Sequence, residues 1–191
     1  MADFKTFLPV AFVNIVWAAC AHAQVSVTTI GLSEAAQCFE QAKSGFGAMG
    51  INDCDAALAK EGLTQRDEAA TYVNRGVIYN RVGKLDQAIA DFDQALSLDD
   101  VLAEAYLNRG NTRFLQKKYA AAEADYTSAI NLQIFDLYAA YYNRGLTRQA
   151  LKRPEEALED FRKSADLNAG FAPALQKLSD MQSETAFITD E

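Results

Sequence analysis

The chain has 191 residues, a formal net charge of −8 and a composition that is 50% hydrophobic. An acidic chain of this kind argues against nucleic-acid binding, which needs clustered lysine and arginine, and equally against binding to an anionic membrane surface. With only 3 prolines and 10 glycines, the chain is suited to one domain with a continuous core.

Residues 1–23 have the pattern of a secretory signal peptide. An apolar run over Thr6–Ala21 ends in Ala21-His22-Ala23, a small-x-small cleavage site. Two alternatives stay open: a retained membrane anchor, for which the run is short of the roughly 20 residues needed, and lipidation of Cys20. Cleavage near Ala23 predicts an exported, periplasmic protein that begins with a linker at 24–32.

Two short helices are predicted next, over Ser33–Lys43 and Asp53–Lys60, with a glycine-rich loop between them. Cys38 and Cys54 lie one on each helix. Because a cysteine pair in an exported protein favours a disulfide, and antiparallel helices bring such positions close together, the sequence predicts a Cys38–Cys54 bond. The alternative is two buried free thiols.

The tripeptide Asn-Arg-Gly then occurs three times, at 74–76, 108–110 and 143–145, so that the glycines are 34 and 35 residues apart. That interval is the length of one helix-turn-helix unit of a solenoid. If the units start at Ala69, Ala103 and Tyr138, five positions, including that of the tripeptide glycine, carry matching residue types. These are position 4 (Tyr72, Tyr106, Tyr141), position 8 (Gly76, Gly110, Gly145), position 20 (Ala88, Ala122, Ala157), position 24 (Phe92, Tyr126, Phe161) and position 27 (Ala95, Ala129, Ser164).

On these residues the chain resembles the tetratricopeptide repeat family over residues 69–171. The resemblance implies an all-α, right-handed solenoid of antiparallel helix pairs, with repeats at 69–102, 103–137 and 138–171. It also implies that residues 33–68 are a degenerate opening pair and that 172–183 are a capping helix before a tail at 184–191. The chain departs from the family pattern at position 32, where Asp100, Ile134 and Ala169 replace the usual proline.

Charged residues recur in every unit as well. Position 7 is always arginine (Arg75, Arg109, Arg144) and position 23 is always aspartate (Asp91, Asp125, Asp160). Because an active site needs only one copy, this recurrence indicates a structural role, with ion pairs between helices.

No catalytic or ligand-binding motif is recognisable. The only histidine, His22, lies in the predicted signal peptide, so no Ser/His/Asp or Cys/His pair can be assembled from the rest. Zinc-ligand spacing and phosphate-binding glycine loops are absent from the sequence. The sequence therefore predicts a protein that is not an enzyme and that uses no metal and no cofactor.

The resemblance also implies a binding surface, because in this family the first helix of each unit lines a concave groove. The residues placed there are Val73, Asn74, Val77, Arg81, Leu107, Asn108, Asn111, Phe114, Tyr142, Asn143 and Leu146. Asn74, Asn108 and Asn143 all stand at position 6 and form a ladder of amides that can pair with the backbone of an extended peptide. The alternative is that they only bond neighbouring helices.

Some family members hold the terminal carboxylate of a peptide with a clamp of lysine, asparagine and arginine. Asn108 matches the clamp asparagine of the middle repeat. The other clamp positions are held here by Val73, Val77, Ala139 and Asn143. The sequence therefore predicts a groove without a carboxylate clamp.

The predicted function is a non-catalytic protein-interaction scaffold of the bacterial cell envelope. Its partner is predicted to be a protein or peptide segment in the groove, with no nucleic-acid or small-molecule partner. The alternative is an accessory subunit of an envelope enzyme, or a lipid-anchored assembly factor.

Overall fold

A computed structural model of the protein describes residues 33–44, 49–60 and 62–189. The predicted signal peptide and linker lie outside the described residues. The described part consists of helices joined by short turns, which confirms the predicted all-α repeat fold. The helices are α1 (Ser33–Ser44), α2 (Met49–Ala59), α3 (Gln65–Arg81), α4 (Leu85–Leu98), α5 (Ala103–Leu115), α6 (Tyr119–Asn131), α7 (Leu137–Ala150), α8 (Pro154–Leu167) and α9 (Ala172–Thr189).

The helix ends follow from local sequence. The Thr64 hydroxyl caps α3 by accepting a hydrogen bond from the Asp67 backbone N–H at 3.1 Å. Pro154 begins α8, where its missing N–H costs nothing. Within each repeat the turn between the two helices uses a left-handed residue, which is Gly83 in the first repeat but Lys117 and Lys152 in the next two.

Glycine and an aromatic ring make the central contact of each repeat. A Cβ atom added to Gly76 would lie 2.7 Å from the Phe92 ring. The equivalent approaches are 2.9 Å from Gly110 to Tyr126 and 2.7 Å from Gly145 to Phe161, and all three rings are fully buried. A side chain at these glycines would push the two helices apart, so the repeated pattern sets the distance between them.

Ion pairs join the two helices of each repeat, as the recurrence predicts. Arg109 binds Asp125 at 2.7 Å, and the same guanidinium reaches back to Asp93 of the preceding repeat at 2.6 Å. The equivalent ion pairs run from Arg75 to Asp91 and Asp55 and from Arg144 to Asp160, and Arg144 reaches the preceding repeat through a hydrogen bond to the Thr127 hydroxyl. The contact with the preceding unit was not predicted from the sequence, and it links the repeats into one array.

The helix α9 packs on α8 at the end of the array. Its Ala174 is fully buried and joins a cluster with Tyr142 and Phe161, while Leu178 and Met181 pack at the edge of that cluster. It therefore covers the apolar face of the last repeat. The helix extends to Thr189, beyond the predicted end at residue 183.

Glu123 connects the second repeat with the third through Arg148 at 2.8 Å and Arg153 at 2.6 Å. Burial alone would raise the pKa of the Glu123 carboxyl, but the hydrogen bonds from the two arginines outweigh it and hold the pKa below its usual value. A lowered folded pKa contributes stability above the unfolded pKa, and this stability is lost as the pH falls through the folded pKa.

Replacing Glu123 with Gln is therefore expected to lower the free energy of unfolding by about 1 kcal/mol at pH 7. The difference from the wild type should shrink as the pH falls below about 4 and should vanish in more acidic solution. Urea unfolding at several pH values measures this. The control is Glu155→Gln on the exposed start of α8, for which we expect a change in the free energy of unfolding below about 0.5 kcal/mol at pH 7. A gap between wild type and Glu123→Gln that stays constant with pH would contradict the assignment.

Candidate functional site

The predicted groove residues lie on α3, α5 and α7, the first helices of the three repeats. Arg81 and Phe114 are partly buried, and all the others are buried, with at most 4% of the residue exposed. Most of these side chains therefore contact protein in this structure rather than solvent. Their role in ligand binding stays a prediction, and their contacts show which of them already serve the fold.

Tyr142 has a structural role. Its ring packs against Phe161 with 5.6 Å between centroids and against Phe171, at the base of α9, with 5.2 Å. Burial raises the pKa of the Tyr142 hydroxyl to about 12. Leu146 belongs to the same cluster. The capping helix therefore takes part of the surface that the sequence predicts for a ligand.

Asn143 joins the second and third repeats. Its side-chain nitrogen Nδ2 donates to Asn111 Oδ1 at 2.9 Å, and the same oxygen accepts from the Tyr126 hydroxyl at 2.9 Å. All three residues are at most 1% exposed. This buried network supports the alternative interpretation of position 6, in which the asparagine bonds the neighbouring helix.

The position-6 asparagine of the second repeat also contacts its own helix. Asn108 Nδ2 donates to the Glu104 carbonyl at 2.9 Å. One turn further on, the Thr112 hydroxyl donates to the Asn108 carbonyl and accepts from Asn80 Nδ2 of the preceding repeat at 2.7 Å. Polar side chains thus cross the boundary between the first and second repeats as well.

Asn74, at position 6 of the first repeat, differs from the other two. It is fully buried, yet neither Nδ2 nor Oδ1 has a hydrogen-bond partner. A buried polar group in this condition costs about 1–3 kcal/mol, and native structures rarely keep one without a reason. A side-chain amide has a donor and an acceptor in one plane, so it matches the N–H and C=O of a peptide backbone. Asn74 is therefore the predicted groove residue with the clearest unused binding capacity.

A separate surface cleft of about 450 Å³ lies on the third repeat. Its lining mixes acids and bases, and its two inner arginines, Arg144 and Arg148, already bind Asp160. The cleft contains none of the predicted groove residues. Its lining residues are Tyr141, Arg144, Arg148, Glu159, Asp160, Arg162, Lys163 and Asp166.

Within the described residues, no group of three His, Cys, Asp or Glu side chains is placed to hold a metal ion. None of the helices described is both long and apolar enough to cross a membrane.

Models of the tetratricopeptide repeat family match residues 67–134 and 138–171. RNA polymerase II-associated protein 3 of Xenopus laevis is 34% identical over 118 residues, which cover 62% of this chain and 18% of that protein. Human DnaJ homolog subfamily C member 7 is 38% identical over 61 residues, or 32% of this chain and 12% of that protein. The chain thus spans about a fifth or less of the length of these relatives.

Two solved structures extend the similarity to peptide-bound domains. The first repeat domain of Spaghetti (RPAP3), bound to the HSP90 peptide SRMEEVD, is 29% identical, with a TM-score of 0.60 over 63% of this chain and 95% of that one. The second repeat domain of human RPAP3, in complex with the HSP70 peptide SGPTIEEVD, is 28% identical. Its TM-score is 0.58, over 62% of this chain and 98% of that one.

The comparisons correct the predicted localisation. The relatives come from Xenopus and from human, mouse and rat, and these animals have no periplasm. The prediction of an exported, periplasmic protein is therefore wrong, and the predicted setting of the function in a bacterial cell envelope has lost its basis. The pattern that misled the prediction is the apolar run before Ala23, which lies outside the described residues.

Proposed function

The chain belongs to the tetratricopeptide repeat family, and on this premise we propose that it is a protein-interaction scaffold that binds an extended peptide segment along α3, α5 and α7. Two similar domains of RPAP3 were solved with peptides bound, and both cover more than 60% of this chain. Stacked helix pairs provide a long surface suited to an extended ligand.

The observation that carries the proposal is the unpaired amide of Asn74. Its Oδ1 can accept from one peptide N–H and its Nδ2 can donate to one peptide C=O without breaking any bond within the protein. Because Asn74 is fully buried, a ligand reaches it only after the side chains above it move. Binding in this proposal therefore widens the array at the first repeat.

The partner is held by its backbone rather than by a terminal carboxylate. The positions that would supply the cationic and first-repeat parts of a carboxylate clamp carry Val73, Val77, Ala139 and Asn143. Val73, Val77 and Ala139 are buried and apolar, so none of these positions supplies a positive charge that could bind the ligand carboxylate. The peptide SRMEEVD with a free or an amidated C-terminus tests this, because amidation should leave its affinity for this chain unchanged.

Substitution of position 6 in two repeats separates ligand binding from packing. Peptides are first selected from a random phage-displayed library on the immobilised chain, and the affinity of the best one is measured by fluorescence anisotropy. Asn74→Ala should lower that affinity roughly tenfold by removing two hydrogen bonds to the peptide, with little change in melting temperature. Asn143→Ala is the matched control. It breaks the bond to Asn111 and should lower the free energy of unfolding by about 1.5 kcal/mol.

If Asn74→Ala binds the selected peptide as tightly as the wild type, Asn74 is not a ligand contact. If the library yields no peptide that binds, the proposal of a peptide groove fails altogether.

A further inference from the structure

The opening helices α1 and α2 follow the register of the three repeats. Cys38 and Cys54 are 16 residues apart, the same separation as Gly76 and Phe92 in the first repeat. Asp53 precedes Cys54 just as an aspartate precedes each position-24 aromatic. Ala57 follows Cys54 by three residues, as a small residue does in every repeat. The cysteines therefore occupy positions 8 and 24, where the other units have glycine and an aromatic ring.

The contacts agree with this register. Both cysteines are fully buried, and their Cα atoms are 4.7 Å apart, which places the two sulfur atoms at bonding distance in the centre of the pair. A sulfur–sulfur contact thus stands where a ring lies on glycine in each of the other units.

The opening pair is also joined to the array as a repeat is. Asp55 directly follows Cys54, and it binds Arg75 of the next unit at 2.6 Å. Asp93 directly follows Phe92 and binds Arg109 of its next unit at the same distance. The equivalence of these two ion pairs indicates that α1 and α2 stack on the first repeat in the way that the repeats stack on one another.

The packing inside the opening pair is weak without the sulfur bond. Within the described residues, the hydrophobic cluster of this pair consists of Cys38, Ala42, Ile51 and Cys54, together with Ile78 from the first repeat, and the remaining buried apolar side chains of the pair, Ala35 and Ala57, are small. None of the described aromatic residues of α1 and α2 belongs to that cluster. Tyr79 and Val82 of the first repeat pack against the same cluster from outside.

We propose that α1 and α2 form a fourth repeat whose glycine–aromatic contact has been replaced by a reversible disulfide, and that reduction releases this repeat from the array. Release uncovers Ile78 and Tyr79 on α3, together with Val82 directly after it, so the redox state decides whether that apolar face is exposed to solvent. This redox-dependent release of the opening repeat does not depend on peptide binding.

The chemistry is thiol–disulfide exchange with an external dithiol. One thiolate of the reductant attacks a sulfur of the Cys38–Cys54 bond and releases the other cysteine as a thiolate, and the second thiol of the reductant then attacks its own sulfur in the mixed disulfide and releases the remaining cysteine. The protein gains two thiol protons and two electrons, while the dithiol becomes a disulfide. Because both sulfurs are fully buried, attack requires that the opening repeat first separates locally.

Hydrogen exchange of the full chain, with and without excess dithiothreitol, tests the proposal. After reduction, the protection of amides in 33–44 and 49–60 should fall about a hundredfold, as expected when a loop of this size loses its cross-link. Protection of α5 to α8 should stay unchanged. Mass analysis of alkylated protein confirms the thiol state in each sample.

Two variants make the outcome specific. Cys38→Gly combined with Cys54→Phe restores the residues of the other repeats, so the opening repeat should be protected and indifferent to dithiothreitol. Cys38→Ala combined with Cys54→Ala should show the low protection of the reduced wild type under both conditions.

Equal protection of the oxidised and reduced wild type would overturn the proposal, as would free thiols in protein treated with oxidised glutathione. An unprotected opening repeat in the Gly/Phe variant would overturn the equivalence of the positions.

Discussion

Replacing Asp125 with Ala is expected to lower the free energy of unfolding by about 3 kcal/mol, because it leaves partly buried charges without their partner. The Asp125 side chain is only 3% exposed, and it binds both Arg109 and Arg113 at 2.7 Å. The arginine side chains are 15% and 23% exposed, so solvent compensates only in part. Urea unfolding followed by circular dichroism measures the loss, which corresponds to a fall of about 6–12 °C in melting temperature.

The control for this change uses the other carboxylate on the same arginine. Asp93 binds Arg109 at 2.6 Å, but its side chain is 51% exposed. Asp93→Ala should therefore cost less than about 1 kcal/mol. Equal losses for the two substitutions would show that burial does not distinguish these ion pairs.

Replacing Gly110 with Val is expected to destabilise the central repeat by about 3 kcal/mol, through overpacking and loss of a hydrogen bond. Even a Cβ atom would lie 2.9 Å from one ring carbon of Tyr126 and 3.3 Å from Asp125 Cβ. The ring cannot move aside freely, because it is fully buried and its hydroxyl donates to Asn111. Thermal unfolding measures the effect, and hydrogen exchange should locate it in α5 and α6.

The same substitution at Gly170 is the matched control. Gly170 is exposed, and a Cβ atom there would meet only Asn168 Oδ1 at an ordinary 3.5 Å. Gly170→Val should change the free energy of unfolding by less than about 1 kcal/mol. A tolerated Gly110→Val would mean that the two helices separate easily, and the glycine–ring contact would then not set their distance.

The binding site was less predictable than the fold. The family pattern places position-6 asparagines together on one face, but it does not say which of them are already bonded. That depends on the neighbouring unit. Asn143 finds Asn111 as a partner, whereas the corresponding position 9 of the first repeat is Val77, which has no polar atom to offer Asn108.

The opening repeat shows another limit of pattern matching. Its spacing is that of the other units, yet the residues that define the pattern, glycine and an aromatic ring, are both cysteine. The prediction of a disulfide rested partly on export, which the comparisons contradict, and partly on the proximity of the two positions on antiparallel helices. The structure places the Cα atoms of Cys38 and Cys54 4.7 Å apart, which supports the argument from proximity, and the bond itself stays a prediction.

The sequence by itself determined the helix pairs, because the contacts within a pair join residues a fixed 16 positions apart, as Gly110 and Tyr126 are, and a repeated spacing is visible in the chain. Only the tertiary structure decided what happens between pairs. The bridges from Arg109 to Asp93 and from Asn143 to Asn111, like the unpaired amide of Asn74, depend on the angle and separation at which one repeat packs on the next. Those quantities result from the combined packing of many side chains, and no spacing along the chain encodes them.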